Sequence, residues 1–292
     1  MRIFSLLFLS CIVLNSCIDT GNKTNTADAP IELKLNFKPG VKYTYSNEIN
    51  DTVSVPGTTK EMSIVTRVSN INTYSITYQG GNKKIDFSID KVVIGTPLGE
   101  YNSEDTSSDL KILNGLKKQV HIHRHAIIDD KGEIKDIQKD VAEIDTSANE
   151  AFNSISMFSD DAIINSLKYL FGIFPGKLVI VGERWTNNIV FNIASVRTSI
   201  PIEFRLISAD SGIAHIELNA QLKDLSDSTS RSQLHFMNMK GSVTGTLDME
   251  ISTGLITDYT QTTQLKGSMN ISTHQMPATI ITNIHVVGKE VK

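Results

Sequence analysis

From Ile31 onward, apolar and polar residues of the chain alternate with a period of two. The clearest case is SVTGTLDMEISTGLITDYTQTTQLKGSMNIS, residues 242–272. In its first arm Val243, Gly245, Leu247, Met249 and Ile251 share one face, and Ser242, Thr244, Thr246, Asp248 and Glu250 share the other. After a turn, Leu255, Thr257, Tyr259, Gln261, Thr263 and Leu265 oppose Ile256, Asp258, Thr260, Thr262 and Gln264. Successive side chains of a strand point to opposite faces, so the pattern predicts two half-buried antiparallel strands. Similar runs occupy 41–54, 61–78, 84–94, 119–129, 184–193, 200–209, 212–222 and 278–287. Gly132, Gly212 and Gly254 each sit between two such arms. Glycine tolerates the positive φ of tight turns, which predicts three hairpins.

One stretch departs from period two. Over 145–171, Phe152, Ile155 and Phe158, then Ile163, Leu167, Leu170 and Phe171, recur at helical spacing. Ser159 or Asp160 can cap the second of these helices, and Phe174–Pro175 ends it. The expected fold is therefore mainly β: a curved antiparallel sheet or open β-barrel with two short helices inserted mid-chain. A single domain is expected over 31–292, with the helices against the concave face. Phe152, Phe158, Leu167 and Phe171 are the candidate lining of an apolar groove between sheet and helices.

The N-terminus changes the picture from a fold to a location. Arg2 precedes a mostly aliphatic, uncharged run from Ile3 to Leu14. A spanning helix needs about 20 apolar residues, so this run reads as the core of a signal peptide over 1–16. It ends in LNSC, which resembles the lipobox of bacterial lipoproteins. In that family the cysteine takes a diacylglyceryl group and becomes the first mature residue, a role the resemblance assigns to Cys17. Asn15 and Ser16 depart from the commonest residues before the cysteine, and Cys11 follows a shorter apolar run. A plain cleaved secretion signal is the alternative. Residues 18–30 are small and polar, a flexible tether about 20 Å long on average.

Composition narrows the chemistry. The two cysteines, Cys11 and Cys17, both lie in the leader, so the mature body has no thiol for a disulfide, a zinc ligand or a nucleophile. The formal net charge is −4, and loss of Arg2 with the leader makes it −5. Nucleic acid is not an expected partner, because a basic stripe is missing. The expected partners are the membrane, through N-terminal acyl chains alone, and a hydrophobic ligand.

VHIHRHA, residues 120–126, sets His121, His123 and His125 on alternate positions with Val120, Ile122, Arg124 and Ala126 behind. Neighbouring members lie about 6.6 Å apart on a strand and the outer two about 13 Å. Zinc binds imidazole nitrogen at about 2.0–2.1 Å, so one pair can share an ion while a straight strand cannot bring in all three. His121 and His123 form the candidate metal pair, weighed against a polar strand face, which the spacing favours. Metal-dependent activity at this strand is the one catalytic alternative to a non-enzyme. No G-x-S-x-G elbow or phosphate-binding glycine loop occurs, and no cofactor is called for. Asp129–Asp130 and Asp160–Asp161 fall at a turn and a helix start, where carboxylates serve the backbone.

A lipobox, a β-rich body and a helical segment ending in FP...V.VGERW together resemble an uncharacterised family of Bacteroidota-type lipoproteins. The matching residues are Phe174, Pro175, Val179, Val181, Gly182, Glu183 and Trp185. The expected architecture is also similar to lipoprotein carriers, in which a curled sheet holds helices over an apolar groove. These likenesses imply a bacterial cell-envelope location, on the periplasmic face or cell surface of the outer membrane, and no known activity. Trp185 itself reads as core rather than as a ligand platform. The first test is the anchor: Cys17→Ser is expected to release the protein from membrane fractions, whereas release by Cys11→Ser alone would reassign the lipidated residue.

Overall fold

The computed structural model describes residues 29–56, 62–79, 82–106, 117, 120, 122–128, 134–139, 160–193, 196–225, 234–271 and 274–291. Cys11, Cys17, His121, Phe152 and Phe158 lie outside the described residues, as does the first expected helix. The strands are β1 (Ile31–Glu32), β2 (Lys42–Val55), β3 (Met62–Gln79), β4 (Asn82–Thr96), β5 (Gly99–Asn102), β6 (Arg124–Ile128) and β7 (Ile134–Lys139). After the helix α1 (Asp160–Phe171) come β8 (Leu178–Val179), β9 (Arg184–Ile193), β10 (Val196–Asp210), β11 (Ile213–Leu225), β12 (Leu234–Glu250), β13 (Ile256–Ile271) and β14 (His274–Val291).

Twelve strands form one antiparallel sheet in the order β7-β6-β4-β3-β2-β14-β13-β12-β11-β10-β9, with β5 beside β4. Two meanders, β2–β4 and β9–β14, join where β14 pairs with β2, from Thr279↔Ser54 to Val291↔Lys42. The end strands β7 and β9 do not pair with each other, so the sheet is not closed. β1 and β8 pair separately. The fold is mainly β, as the alternation predicts. Where two mid-chain helices are expected, the described residues contain one.

Turn chemistry follows the glycines. Ser211 and Gly212 both have positive φ (50° and 82°) between paired Asp210 and Ile213, the two-residue loop whose twist suits a hairpin. Gly254, at φ 72°, turns β12 into β13 where a Cβ would stand 2.3 Å from the Lys34 carbonyl oxygen. That close approach lets the turn accept the N-terminal segment, since Asn36 N donates to Thr253 O at 2.7 Å. β6 and β7 pair antiparallel across the segment containing Gly132.

The strand expected over 119–129 is shorter, beginning at Arg124. Its neighbour β4 pairs with it only from Lys83 to Phe87. Beyond that, β4 carries a bulge, its register on β3 shifting between Ile71↔Lys91 and Asn72↔Ile89. A bulge bends its strand and alters the local twist, so β6 loses its partner there. β5 then takes up β4 from Val93 to Thr96.

The main apolar core lies inside the sheet and draws on strands from β2 to β14. Leu167, Leu170 and Phe171 of α1 are buried in it. The Phe171 ring meets Phe37 and Tyr74 edge-on at 6.4 and 6.1 Å. On the same helix Tyr169 meets Tyr259 of β13 at 5.5 Å. A Cβ built on Gly172, just past the helix, would come within 3.5 Å of the Ile189 side chain on β9. Strands β3, β13 and β9 are far apart in the sheet order, so the sheet curls round the helix to touch it on all three.

The residues of FP...V.VGERW seat that helix. Trp185 Nε1 donates to Ile173 O at 2.8 Å and its ring stacks on Phe204 at 5.6 Å. Asn187 Nδ2 donates to Gly172 O at 2.7 Å and Phe174 O at 2.9 Å. Carbonyls just past a helix end lack intrahelical partners, and these side chains of β9 supply them. Gly182 N and Leu206 N complete the turn, bonding Leu206 O at 2.7 Å and Glu183 O at 3.1 Å. The 7% exposure of Trp185 agrees with its reading as core.

Truncating Phe171 leaves a cavity between the rings of Phe37 and Tyr74. Phe171→Ala is expected to lower unfolding free energy by about 3–5 kcal/mol in urea titration, against less than about 0.5 kcal/mol for Leu98→Ala at a residue 91% exposed.

Candidate binding site on the inner face of the sheet

The inner face has two buried apolar regions with polar residues between them. The first is the main core, with Tyr43 and Tyr45 on β2, Tyr74 on β3 and Phe87 on β4. The second is a small cluster of Val68, Ile89, Val92 and Ile94, with Ile49 and Tyr101 packed against it. Even positions of β3 share a face, so Tyr74 and Val68 both point inward, with Asn72 and Asn70 between them. Asn70 Oδ1 accepts from Asn47 Nδ2 and, at 3.3 Å, from Asn72 Nδ2.

A second polar group lies under the helix. The hydroxyls of Tyr169 and Tyr259 both donate to Gln261 Oε1. Gln261 Nε2 donates to Thr263 Oγ1 at 3.0 Å. Gln261 and Thr263 are 3% and 1% exposed. Burial pushes the Tyr45, Tyr74 and Tyr259 hydroxyls well above their usual range, so these groups stay neutral.

The next level of the sheet runs Thr263↔Thr282↔Asp51↔Thr66 across β13, β14, β2 and β3. The Thr282 hydroxyl donates to Asp51 Oδ1. Burial raises the Asp51 carboxyl above 3.8, with the Thr282 bond opposing. The inward positions of β2, β13 and β14 at this level and the two beside it carry no lysine or arginine. Ile49, Ile284 and Val53 flank Asp51 there and are only partly buried.

Asn165 of α1 is a further buried polar residue. It is 4% exposed, and neither Nδ2 nor Oδ1 has a hydrogen-bond partner. It stands one helical turn before Tyr169, on the same face of the helix. Sequence reasoning passes over Asn165, Gln261 and Asp51. Gln261 and Asp51 break the apolar face of their strands, and that break is the signal that could have found them.

Of the candidates read from the sequence, Leu167 and Phe171 are brought together in the core, 0% and 1% exposed. His123 is exposed and lies before β6. His125 points away from the core and pairs with Asp86, its cross-strand neighbour. The buried face of β6 is the opposite one, with Arg124, Ala126 and Ile128 at 1%, 0% and 0% exposed. Arg124 is a buried cation that donates from Nη1 to Ile122 O at 3.3 Å. Elsewhere on the outer face, His215 Nδ1 lies 2.7 Å from Asp248 Oδ1 and His285 Nε2 lies 3.2 Å from Asp258 Oδ2. Among the described residues, no group of three or more His, Asp or Glu could hold a metal ion.

A cleft of about 420 Å³ lies on the outer face, lined by Glu217, Asn219, Thr244, Thr246, Thr260 and Thr262 beside Gly245. Its place on the outer face differs from that of the groove expected between sheet and helix. No helix of the described residues is long and apolar enough to cross a membrane.

No curated protein matches the sequence. Among solved structures the chain is similar to DynF from the dynemicin biosynthesis pathway of Micromonospora chersina, at 7% identity and a TM-score of 0.20 over 89% of this chain and 85% of that one. It is also similar to an outer membrane channel from Pseudomonas putida F1, at 7% identity and a TM-score of 0.20 over 91% of this chain and 98% of that one. Likenesses this slight carry no argument. The model of a family of unknown function, DUF6263, matches residues 71–256, from β3 through α1 to the first residue of β13.

Asp51 provides a test of the inner face. Its folded-state pKa is raised, so its carboxylate weakens the fold at neutral pH, and the loss disappears as pH falls toward 3.8 and both states take up the proton. Asp51→Asn is therefore expected to raise the thermal midpoint at pH 7 and to change it little at pH 3.5.

Proposed function

The chain belongs to the family of unknown function DUF6263, and we propose that it is a membrane-anchored lipoprotein that binds a hydrophobic ligand on the concave face of its sheet. It acts without catalysis. The anchor is Cys17, and the tether that follows holds the β-rich body near the bilayer. The location is the bacterial envelope, at the periplasmic face or the cell surface of the outer membrane.

One observation carries the binding reading. The inner face over β14 and β2 combines Ile49, Val53 and Ile284 with Asp51 and Thr282, and all five are only partly buried. Ile49, Val53 and Ile284 pack against the two apolar clusters and keep part of their surface open. A ligand with an acyl or similar apolar body would cover them, and sites of this type pair an apolar wall with few polar groups. The sealed burial of Leu167 and Phe171 favours a second reading, a displayed scaffold whose helix is simply core. In the binding reading these two side chains form the floor beside the ligand.

Native mass spectrometry of the protein purified from its own membrane separates the two. A hydrophobic molecule retained at about one per chain is expected after gentle detergent removal. Repeated recovery of the empty chain, with the Asp51 region unaltered by added lipid, would leave the scaffold.

A further inference from the structure

We infer that the protein makes a second contact with the bilayer besides its acyl chains, through an apolar patch of Leu178, Ile180 and Ile207. The inference rests on the Cys17 anchor proposed above and adds how the body sits on the membrane.

Two observations converge. The first is where the chain enters the fold. Ile31 and Glu32 pair with Val179 and Leu178, which sets the start of the β-rich body on β8. From there the chain crosses one end of the large sheet. Lys34 O lies against the turn at Gly254, and Asn36 N donates to Thr253 O at 2.7 Å. Lys83 Nζ, at the start of β4, donates to Leu35 O at 2.8 Å. Lys38 Nζ reaches Glu290 near the end of β14 at 3.1 Å. Leu33, Leu35 and Phe37 of this crossing segment are buried, while Lys34, Asn36 and Lys38 are exposed, so its other side faces out. Cys17 stands 14 residues before Ile31 (31 − 17). A chain of that length spans about 50 Å at full stretch and about 20 Å on average. The acyl chains therefore keep this end of the sheet nearest the bilayer.

The second is the surface beside that entry. Leu178, Ile180 and Ile207 are 58%, 41% and 37% exposed. Val179 is buried, so Leu178 and Ile180 share the outward side of an extended segment. The turn that follows docks on β10, because Glu183 N donates to Ile180 O at 3.0 Å and Gly182 N to Leu206 O at 2.7 Å. Leu206 is buried and Ile207, next to it, faces out. Single exposed aliphatics are ordinary on a protein surface. Three on adjoining segments, at the end tied to a membrane, form a patch with an evident partner.

The contact is apolar in character. Lys177 pairs with Glu183 and Lys34 with Glu32, so these lysines offer no net charge to acidic headgroups. Three side chains are too few to hold a protein on a bilayer unaided. The anchor raises their effective concentration to about millimolar, where a weak contact is made repeatedly. Cys17→Ser thus still releases the protein.

The test uses the full lipidated chain in phosphatidylcholine vesicles, with an environment-sensitive dye on Leu178→Cys or on Leu98→Cys. Both natural cysteines, Cys11 and Cys17, precede the body. Leu98 follows β4, about 40 Å along that strand from Lys83, and serves as the distant control. Lipids spin-labelled in the acyl chain are expected to quench the dye at position 178 by about half and at position 98 by less than about a tenth. Aqueous iodide is expected to do the reverse. Neither result should change with phosphatidylglycerol in the vesicles or with about 0.5 M salt. Ile180→Ser combined with Ile207→Ser is expected to cut the lipid quenching at position 178 about threefold, with an unchanged circular dichroism spectrum. Vesicle flotation is read on the same samples. A chain that floats while its dye at position 178 meets iodide as freely as at 98 would overturn the patch and leave the anchor. Shielding from both quenchers would mean that a second copy covers the patch, which also overturns the inference. Failure of the chain to float would overturn patch and anchor together. Flotation that survives Cys17→Ser but is lost with the two serine substitutions would overturn the anchor and keep the patch.

Discussion

The seating of one helix inside the sheet is the constraint on which the rest depends. Phe171 stands between Phe37 and Tyr74, while Trp185 and Asn187 on the last strand of the sheet order hold the carbonyls just past the helix. A twelve-stranded sheet twists by itself, but twist alone does not decide how far its ends approach. The helix does, because it must meet β3, β13 and β9 together. Without it the inward aromatics of β2–β4 and the inward aliphatics of β9–β12 would face each other across water. The helix fills that space, and the open edges at β7 and β9 remain.

Filling the space with a helix has a consequence for polar groups. A core made for stability alone would use apolar residues at the level of Gln261 and Thr263, since each buried amide or hydroxyl must find a partner. Gln261 solves this by accepting from two tyrosines and donating to Thr263. Satisfied networks of this kind fix a unique arrangement, because any shift leaves several groups unpaired at once. They therefore hold the helix in register on β13. Asn165, one turn away, lacks such a solution, and Asp51 has only a threonine hydroxyl with burial working against its charge.

Much of the fold was legible because period-two alternation reports burial directly. Val243 to Met249 and Tyr259 to Leu265 point inward as their pattern requires, and the turns at Gly212 and Gly254 fall where glycine stands. The end of α1 was legible in Phe174–Pro175. What failed was partner-dependent. The strand through the histidines stops at Arg124 because a bulge in β4 withdraws its neighbour, and nothing within residues 119–123 encodes that bulge. The inner-face site was hidden for a related reason. Asn165 lies on a helix whose apolar stripe draws the eye to Leu167 and Phe171, and Asp51 is one acid within a long alternating strand. Only the pairing of β14 with β2 brings Asp51 beside Thr282, 231 residues away.

The segment matched to DUF6263 divides these roles. Residues 71–256 include α1, the carbonyl-capping residues Trp185 and Asn187, and Asn165 and Tyr169. They exclude Asp51 on β2, Gln261 and Thr263 on β13, and Thr282 on β14. The helix and the edge strand that holds it thus lie inside the matched segment, while the opposite wall of the inner face lies outside it. In a curled sheet the two are separable, because β2, β13 and β14 contribute inward side chains to one level without bearing on the helix end at β9. Changes at Asp51 or Thr282 can therefore alter what the face accepts while the seat of the helix, and with it the curl of the sheet, stays the same.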